Sequence, residues 1–585
     1  MKTRTLLALF LSALMVMTAV VPFMSFADET EPNNPDWSLT DDQLPSSTTL
    51  VGTTHLPPIS NQGLIGSCAS QGITYTQMTN AVSRYLHSIN PDIEWNPSSG
   101  DLKYIMSSKF TYDFSGAGTA WVYNILCEHG VTTMDKFSFP MKNGGYYIFN
   151  SAHTPLGQNK KAVEWYVDEG ELMDALNFRL NSYEQIWVKP ENFGGVSSEN
   201  IMMTTSKEGQ ALINKIKNAL VDGNVVVTGG ISGGWKIDTK LIKGGEIGKA
   251  GDVCLAWTES GKGGGHQVSI VGYDDNVECK LAGVTLKGGF LIANSWGTSS
   301  HTDGYFWLMY DAMNAKSEYP SINKVYPNRT FAMDQYIFTN WRTGITVGLP
   351  ELMVDVEVEA GYRESVHIKL VRQEKENADN KVRHTPWLFE YGLGGKQNVH
   401  DNYDLEGAKY TFSGKYIYDI ETVAHETAHF TLSYDALLKS IPEGKTVADY
   451  DWGVRVYSTY GYPITVKGVK LINSNKEVIA TIDIADGGIK LPEQPTTAYG
   501  PAKTAAKDFI FTVATELLPG NTPAPETTVP STDAPATAPV TTAPVTTTPA
   551  GENDGGNATT IVIVAVVAVV VIGGAAAIVV AKKKK

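Results

Sequence analysis

A cysteine opens an apolar-periodic segment in the stretch Asn61-Gln62-Gly63-Leu64-Ile65-Gly66-Ser67-Cys68-Ala69-Ser70. The apolar residues that follow recur at close to helical spacing, at Ile73, Met78, Ala81, Val82, Tyr85 and Leu86. This spacing predicts a helix that begins near Cys68. The unpaired N–H groups and the dipole at a helix start favour negative charge, and a thiol attacks as its thiolate. The position therefore suits a nucleophilic cysteine, although a buried structural cysteine would fit the same local sequence.

Gln62 lies six residues before this thiol. Its side-chain amide could join the backbone N–H of Cys68 in donating to the oxyanion that forms when a thiolate attacks a carbonyl. Gly63 and Gly66 would let the loop approach a substrate closely, because glycine tolerates backbone conformations that other residues avoid. The alternative for Gln62 is a surface glutamine without a chemical role.

Two later stretches carry further polar side chains. His266 follows a glycine run and opens an alternating segment that predicts a strand; from there it could take the thiol proton and pass it to a leaving amine. Asn294 ends an apolar run typical of a buried strand, and its amide oxygen could orient the imidazole. Trp296 could shield that hydrogen bond from water. Taken singly, His266 is equally an ordinary polar residue, and Asn294 a polar turn residue.

The four stretches together resemble the papain-like cysteine peptidases. The resemblance rests on the order Gln, Cys, His, Asn, with His-x-Val-x-x-Val-Gly-Tyr from His266 and Asn-Ser-Trp-Gly from Asn294 followed by Gly-Tyr-Phe. It implies an α+β, two-lobed fold in which a mostly helical lobe carries Cys68 and a β-rich lobe carries the histidine and asparagine. It also implies that Gln62 is the oxyanion donor, Cys68 the nucleophile, His266 the base and acid, and Asn294 the orienting residue.

Two positions depart from the usual pattern of that family. Ile65 stands where many relatives have a disulfide cysteine, and Ala69 replaces the usual aromatic residue after the nucleophile. At these two positions the sequence resembles divergent microbial members of the family. Residues 28–50 form only a short N-terminal linker before the peptidase-like domain at 51–336, so a long inhibitory propeptide is not expected.

The two ends of the chain predict export and anchoring. Residues 1–27 combine a basic start, an apolar run and small residues before an acidic one, the pattern of a signal peptide. Residues 561–581 are all apolar or glycine, long enough to span a membrane as a helix, and the basic tail 582–585 favours the cytoplasmic side. The expectation is therefore a protein on the extracellular face of the cell membrane.

The remaining segments are a stalk and an accessory domain. Residues 516–560 are rich in Pro, Thr and Ala and cannot bury enough apolar surface to fold. Residues 339–515 contain short alternating runs such as Val354 to Val358 and Val366 to Leu370, which predict an all-β, sandwich-like domain. A glycan or cell-wall polymer is a possible ligand of that domain. Its aromatic segment Trp452 to Tyr462 fits core packing better than a sugar-binding face.

The net charge, the cysteines and one zinc-like motif bear on whether the protein binds nucleic acid, depends on disulfides or holds a metal. The net charge of -15 argues against a nucleic-acid partner. Four cysteines in a chain of 585 residues are too few for a disulfide scaffold, and Cys254 with Cys279 is the nearest candidate pair for a single bridge. His425-Glu426-Thr427-Ala428-His429 matches a zinc-peptidase pattern, but the surrounding residues favour a strand. No metal and no cofactor are expected.

The function that this sequence predicts is a cell-surface cysteine peptidase that hydrolyses peptide or protein substrates. Two other readings of the same residues stay open. In one, the papain-like domain is inert and the protein is an adhesin or binding protein. In the other, the thiol passes its acyl group to an amine, as a transpeptidase does.

Overall fold

The protein is described here by a computed structural model, which covers residues 39–63, 66–115, 118–137, 141–142, 145–146, 170–193, 195–197, 200–260, 263–339, 344–360, 366–390, 409–410, 416–417, 426–458, 464–491 and 506–519. All described residues belong to one compact unit.

In this part of the chain the strands are β1 (Ser47–Thr49), β2 (Met141–Lys142), β3 (Gly145–Tyr146), β4 (Phe178–Leu180), β5 (Glu184–Trp187), β6 (Val226–Ile231), β7 (Thr239–Gly244), β8 (Val253–Leu255), β9 (Gly265–Leu281), β10 (Val284–Ala293), β11 (Tyr305–Met309), β12 (Gln335–Phe338), β13 (Ile345–Val347), β14 (Leu352–Ala360), β15 (Val366–Glu374), β16 (Lys381–His384), β17 (Lys409–Tyr410), β18 (Tyr416–Ile417), β19 (Glu426–Ser433), β20 (Tyr450–Ser458), β21 (Ile464–Asn473), β22 (Val478–Thr481), β23 (Ile489–Leu491) and β24 (Ala506–Ile510).

The α-helices are α1 (Cys68–Ser70), α2 (Thr79–Ile89), α3 (Ser108–Ser115), α4 (Thr119–Glu128), α5 (Glu171–Ala175), α6 (Lys207–Val221), α7 (Pro320–Val325), α8 (Trp387–Glu390) and α9 (Asp435–Lys439). A π-helix spans Gln71–Met78, and short 3-10 turns lie at Pro97–Ser99, Leu102–Tyr104, Pro190–Phe193, Ser232–Gly234, Tyr310–Met313, Val447–Asp449 and Thr515–Leu517.

The helix predicted after Cys68 is present and begins at that residue. It continues from α1 through the π-helix into α2 without a break and ends at Ile89. Its apolar side, which includes Ile73, Met78 and Val82, is buried in the largest core cluster. π-Helical turns are rare and frequently occur at functional sites. Here the π-helix begins at Gln71, three residues after the cysteine.

The second lobe is built around the long strand β9. β9 pairs with β10, β10 with β11, β11 with β8, β8 with β7, and β7 again with β9, so these strands close into a ring. β6 and β1 pair with β9 as well, outside the ring. All these pairings are antiparallel except that of β11 with β8. Strand β1 falls within the segment predicted as a linker.

The strands β9 and β10 have apolar runs because both of their faces are covered. Every residue from His266 to Asp274 is buried, and Val268, Ile270 and Phe290 lie in one core cluster with side chains of α6. A strand covered on both faces has a continuous apolar sequence, whereas a half-exposed strand alternates. The polar residues His266 and Asn294 at strand ends therefore stand out against this background.

The C-terminal described part is dominated by two antiparallel sheets. One has the strand order β19-β14-β21-β22 with β23 also on β21, and the other has the order β16-β15-β20-β24. Their alternating inward side chains, such as Val356 and Ile368, share one buried cluster with Phe430. Trp452 belongs to this cluster and is fully buried, so core packing is confirmed for that aromatic residue. The overall mixture of helices and sheets confirms the α+β class.

The C-terminal region with the two antiparallel sheets packs directly against the lobe that carries Cys68. Strand β13 pairs with β4, and the Trp121 and Trp387 rings meet edge to face with centroids 5.0 Å apart. Apolar residues of both parts belong to the same core cluster. The boundary predicted between 51–336 and 339–515 stays a prediction, since the two segments share buried surface.

The cysteine pairing considered from sequence is not formed. Cys68, Cys127, Cys254 and Cys279 are all free thiols. Cys254 and Cys279 are fully buried in the same small cluster, which also contains Trp307. The single bridge considered from sequence is therefore wrong, and both cysteines serve as core residues.

The predicted cell-surface location is corrected by the structure. Among the described residues, no helix has the length and apolarity needed to cross a membrane. This finding contradicts the predicted location on the outside of a membrane with a C-terminal anchor, and that prediction is wrong. The segments on which it depended, 1–27, 561–581 and 582–585, lie outside the described residues, as does 520–560 of the predicted stalk.

A buried ion pair after β11 provides a stability test for the β-rich lobe. Arg329 donates to the Asp311 carboxylate at 2.8 Å, and the two side chains are only 1% and 5% exposed. Replacing Arg329 by Met should lower the free energy of unfolding by about 3–5 kcal/mol, because the Asp311 charge stays buried without its partner. Urea unfolding of the full chain would measure this loss.

The matched control removes a surface pair from the same lobe. Lys243 and Glu278 are 3.4 Å apart with side chains 57% and 26% exposed. Lys243→Met should change the free energy of unfolding by only about 0–1 kcal/mol. Equal losses in the two variants would contradict the structural importance of the Arg329 pair.

Candidate active site

The candidate nucleophile Cys68 is the first residue of α1 and is only 8% exposed. Burial raises the pKa of its thiol, and backbone N–H groups of Gln267, Ala69 and Cys68 itself lower it in part. Two of these groups belong to the helix start, and the third belongs to β9 on the opposite side. Gln267, whose backbone N–H lowers the pKa of this thiol, directly follows His266 in the chain.

His266 and Asn294 are joined by a side-chain hydrogen bond. The His266 Nε2 and Asn294 Oδ1 atoms are 2.9 Å apart, and both residues are buried. The backbone N–H of Ser295 also donates to Asn294 Oδ1, at 2.8 Å. An oxygen is therefore required at that position, so His266 carries its proton on Nε2 and donates it. The Nδ1 atom is left as the ring nitrogen with a lone pair.

Aromatic rings enclose the imidazole. The Trp296 ring stacks on His266 with centroids 4.7 Å apart and planes at 21°. The Trp235 ring approaches from another direction at 5.7 Å. The sequence anticipated the first of these contacts but gave no indication of Trp235, which comes from the short turn after β6. Together the rings exclude water from the bond between the histidine and the asparagine.

The exclusion of water has an electrostatic consequence. Burial lowers the pKa of His266 to about 4, and the hydrogen bond with Asn294 opposes that shift only partly. The imidazole is consequently neutral at pH 7 and able to accept a proton at Nδ1. Because burial also raises the pKa of the Cys68 thiol, burial favours the neutral form of both the thiol and the imidazole.

Gln62 is attached to the strand end that carries Asn294. The hydroxyl of Ser295 donates to Gln62 Oε1 at 2.5 Å, and the Gln62 backbone N–H donates to the Ser295 carbonyl at 2.8 Å. With the amide oxygen occupied by a donor, Nε2 is defined as the donor end of the side chain. Ser295 was not singled out from sequence, although it lies within the Asn-Ser-Trp-Gly stretch.

Backbone contacts with the turn after Asn294 hold the Gln62 loop in place. Asn61 forms a bridge with Trp296, and the N–H of Gly297 donates to the Ser60 carbonyl at 2.9 Å. Gly297 has a φ of +77°, and a side chain there would place its Cβ 3.0 Å from the Asn61 amide. Glycine is therefore required at this point, and the loop before Cys68 is fastened to the turn after Asn294.

The structure brings the four predicted site residues into one connected region. His266 and Asn294 touch directly, Gln62 is held through Ser295, and Cys68 lies against the backbone of Gln267. The roles assigned to these four residues stay predictions. A residue that the sequence analysis missed is His301, whose Nε2 atom is 3.1 Å from Asn294 Nδ2.

The zinc-like motif does not form a helix. Glu426–Ser433 is strand β19, and His429 points its Nδ1 atom to the Asp355 carboxylate at 3.0 Å. His425 lies outside the described residues. In the described ranges, no group of three or more His, Cys, Asp or Glu side chains is placed to hold a metal ion. Residues four apart share a face on a helix, but in a strand they are about 13 Å apart.

Comparisons with known proteins give a distant likeness. Xylellain, a cysteine protease from Xylella fastidiosa, matches 54% of this chain and 92% of its own at 19% identity and a TM-score of 0.29. A procathepsin B from Trypanosoma congolense matches 52% and 79% at 11% identity and a TM-score of 0.29. The proform of the ragweed pollen allergen Amb a 11, a cysteine protease, matches 51% and 65% at 13% identity and a TM-score of 0.27.

No protein-family model and no curated protein matches the chain. The likeness to these cysteine proteases is therefore distant, and at such low identities and TM-scores it carries no argument about activity.

The site predicts an unusual pH dependence for alkylation of Cys68 by iodoacetamide. Since the pKa of His266 is lowered to about 4, its neutral form can accept the thiol proton throughout the neutral range. The rate should therefore stay high down to about pH 5 and fall as the imidazole becomes protonated near pH 4. Mass-spectrometric mapping of the labelled cysteine against pH would measure this profile.

The control variant is His266→Ala. Without the imidazole, alkylation requires the thiol to ionise alone, and burial raises its pKa. Labelling of this variant should therefore appear only in alkaline solution. Identical profiles for the two proteins would show that the histidine does not act on the thiol. The fully buried Cys254 and Cys279 should stay unlabelled in both.

Proposed function

We propose that this chain is a cysteine peptidase that hydrolyses peptide bonds in peptide or protein substrates. The observation that carries the proposal is the buried hydrogen bond between His266 Nε2 and Asn294 Oδ1. It leaves Nδ1 as the proton acceptor, on a strand whose next backbone N–H, that of Gln267, lowers the pKa of the Cys68 thiol. Nucleophile, base and orienting group are the three parts that thiol catalysis needs.

In the proposed acylation step, the Cys68 sulfur attacks the substrate carbonyl while its proton passes to His266 Nδ1. A bond forms between sulfur and the carbonyl carbon, and the carbonyl electron pair moves to oxygen. The imidazolium then gives its proton to the amine nitrogen, the carbon–nitrogen bond breaks, and the amine leaves. The enzyme is left with a thioester at Cys68.

In the proposed deacylation step, water replaces the amine. His266 takes a proton from water as the hydroxyl oxygen bonds to the thioester carbon, and the carbon–sulfur bond then breaks. The proton returns to sulfur and the carboxylic acid leaves. Since Asn294 holds the ring through Nε2, Nδ1 is available as acceptor and donor in both steps.

The proposed oxyanion donors are Gln62 Nε2 and the backbone N–H of Cys68. Two features support this assignment. The Ser295 hydroxyl occupies the oxygen end of the Gln62 amide, and the Cys68 N–H belongs to the start of α1, where backbone donors have no helical acceptor. Preorganised donors of this kind stabilise the developing negative charge without reorganisation.

A mechanism-based label tests the proposal directly. The full chain would be treated with an epoxide-type thiol-peptidase inactivator, and the modified residue would be mapped by mass spectrometry. We expect a single adduct at Cys68, with cleavage of a fluorogenic peptide library abolished in parallel. The Cys68→Ala variant should neither be labelled nor cleave, because it has no sulfur nucleophile.

The outcomes of this experiment separate the alternatives. A folded protein with no adduct at Cys68 and no cleavage would overturn the enzymatic proposal and favour an inert domain with a binding role. A labelled protein that releases product only when an amine is added would instead transfer the acyl group, as a transpeptidase does.

The oxyanion assignment predicts the effect of Gln62→Glu. This change keeps the shape of the side chain but replaces the amide donor by a carboxylate oxygen. The value of kcat should fall about 10²- to 10³-fold, as for the loss of one oxyanion donor, with a smaller change in KM. Steady-state kinetics on a fluorogenic peptide would measure both constants.

The matched control for that variant is Ser295→Ala, which removes the hydroxyl bound to Gln62 Oε1 but keeps the amide donor. We expect it to lower kcat less than Gln62→Glu does. A Gln62→Glu enzyme with unchanged kcat would remove this residue from the mechanism while leaving the thiol assignment intact.

A further inference from the structure

We propose that His301 is a positioning residue that holds the Asn294 amide in the orientation His266 needs. The inference depends on the proposed thiol chemistry for its functional meaning. Its structural basis is one contact: His301 Nε2 lies 3.1 Å from Asn294 Nδ2. The amide thus has a partner at each end, with His266 at the oxygen and His301 at the nitrogen.

The orientation of this amide decides which imidazole nitrogen is basic. With Oδ1 toward His266, the ring must carry its proton on Nε2, and Nδ1 keeps the lone pair that takes the thiol proton. If the amide were flipped, its NH₂ group would face Nε2, and the favoured tautomer would carry the proton on Nδ1. That tautomer cannot accept a proton from Cys68.

Two contacts oppose the flipped orientation. The backbone N–H of Ser295 donates to Oδ1 and would face a second donor after a flip. His301 supplies the complementary contact when its neutral ring carries the proton on Nδ1, because Nε2 then offers a lone pair to the Asn294 NH₂ group. A buried amide nitrogen without an acceptor would lose a hydrogen bond that it makes in water. His301 thereby makes the correct orientation the one in which every polar atom of the amide has a partner.

The loop after Asn294 presents His301 in a fixed position. His301 has a φ of +54°, in the left-handed region that non-glycine residues seldom adopt. Its ring lies between two aromatic rings, with centroid distances of 5.7 Å to Trp296 and 5.3 Å to Phe306. The Gly304 N–H closes the turn on the Ser300 carbonyl at 2.8 Å.

The environment of His301 also favours its neutral form. Burial lowers the pKa of this imidazole, so at neutral pH the ring can accept at Nε2.

A simpler role for His301 is that of an aromatic spacer between Trp296 and Phe306. The two roles differ in one respect: a spacer needs only a ring, whereas a positioning residue needs an acceptor atom.

The test compares two replacements that share the backbone strain of this position. His301→Phe keeps a ring but has no acceptor, and His301→Gln has an acceptor oxygen at similar reach but no ring. We expect His301→Phe to lower kcat on a fluorogenic peptide about 10- to 100-fold with KM little changed, because the amide orientation is no longer fixed. His301→Gln should retain most of the wild-type kcat.

The exposed Asp303 provides the control for loop disturbance. Asp303 has a φ of +52° in the same loop and belongs to no part of the site. Asp303→Asn should leave kcat and KM unchanged. Equal losses in the Phe and Gln variants of His301, or a larger loss in the Gln variant, would overturn the proposal in favour of the spacer role. An unchanged kcat in His301→Phe would overturn it as well.

A spectroscopic readout separates this inference from the proposed function. With ¹⁵N-labelled histidine in the full chain, the nitrogen chemical shifts of His266 report which ring atom carries the proton. We expect the Nε2-protonated form in the wild type and in His301→Gln, and a mixture of tautomers in His301→Phe. A wild type that neither cleaves nor labels at Cys68 would remove the peptidase proposal, while this measurement would still support or overturn the positioning role.

Discussion

The hydrogen bond between His266 and Asn294 is the interaction on which the candidate site depends. It joins the first residues of β9 to the residue that follows β10, and it selects the tautomer of the His266 imidazole. The antiparallel pairing of β9 with β10 sets the separation of the His266 and Asn294 side chains. The closed ring of strands fixes this pairing, because each strand in it has a neighbour on both sides.

Burial around that bond determines its chemistry. The Trp296 and Trp235 rings cover the imidazole, and the loss of water favours the neutral forms of both His266 and Cys68. A site of this kind does not hold a permanent ion pair in its resting state. In the proposed reaction, negative charge would develop on the substrate carbonyl oxygen, where the backbone donors at the start of α1 would stabilise it. The same absence of water makes each amide partner of Asn294 more important than it would be at the surface.

The β-rich part of the chain stabilises the lobe that carries Cys68. Val354 and Phe430 of the two-sheet region share a core cluster with Ala69 and Val122 of the helical lobe. The Glu128 carboxylate at the end of α4 accepts from the backbone N–H of Trp387 in α8. Buried surface shared in this way couples the stability of the two parts. The helix that begins at Cys68 is therefore supported from the C-terminal half of the chain as well as from its own lobe.

The sequence by itself determined the elements and the candidate residues. Apolar periodicity placed a helix after Cys68, and the structure has a helix that begins at that residue. Alternation placed strands around Val354 and Val366, because one face of each is buried. Only the tertiary structure decided how these elements meet: that Ser295 orients Gln62, that Trp235 covers His266, and that His301 faces the Asn294 amide. Periodicity reports which face of a segment is buried, whereas a hydrogen bond between residues far apart in the chain depends on strand register and on the path of loops.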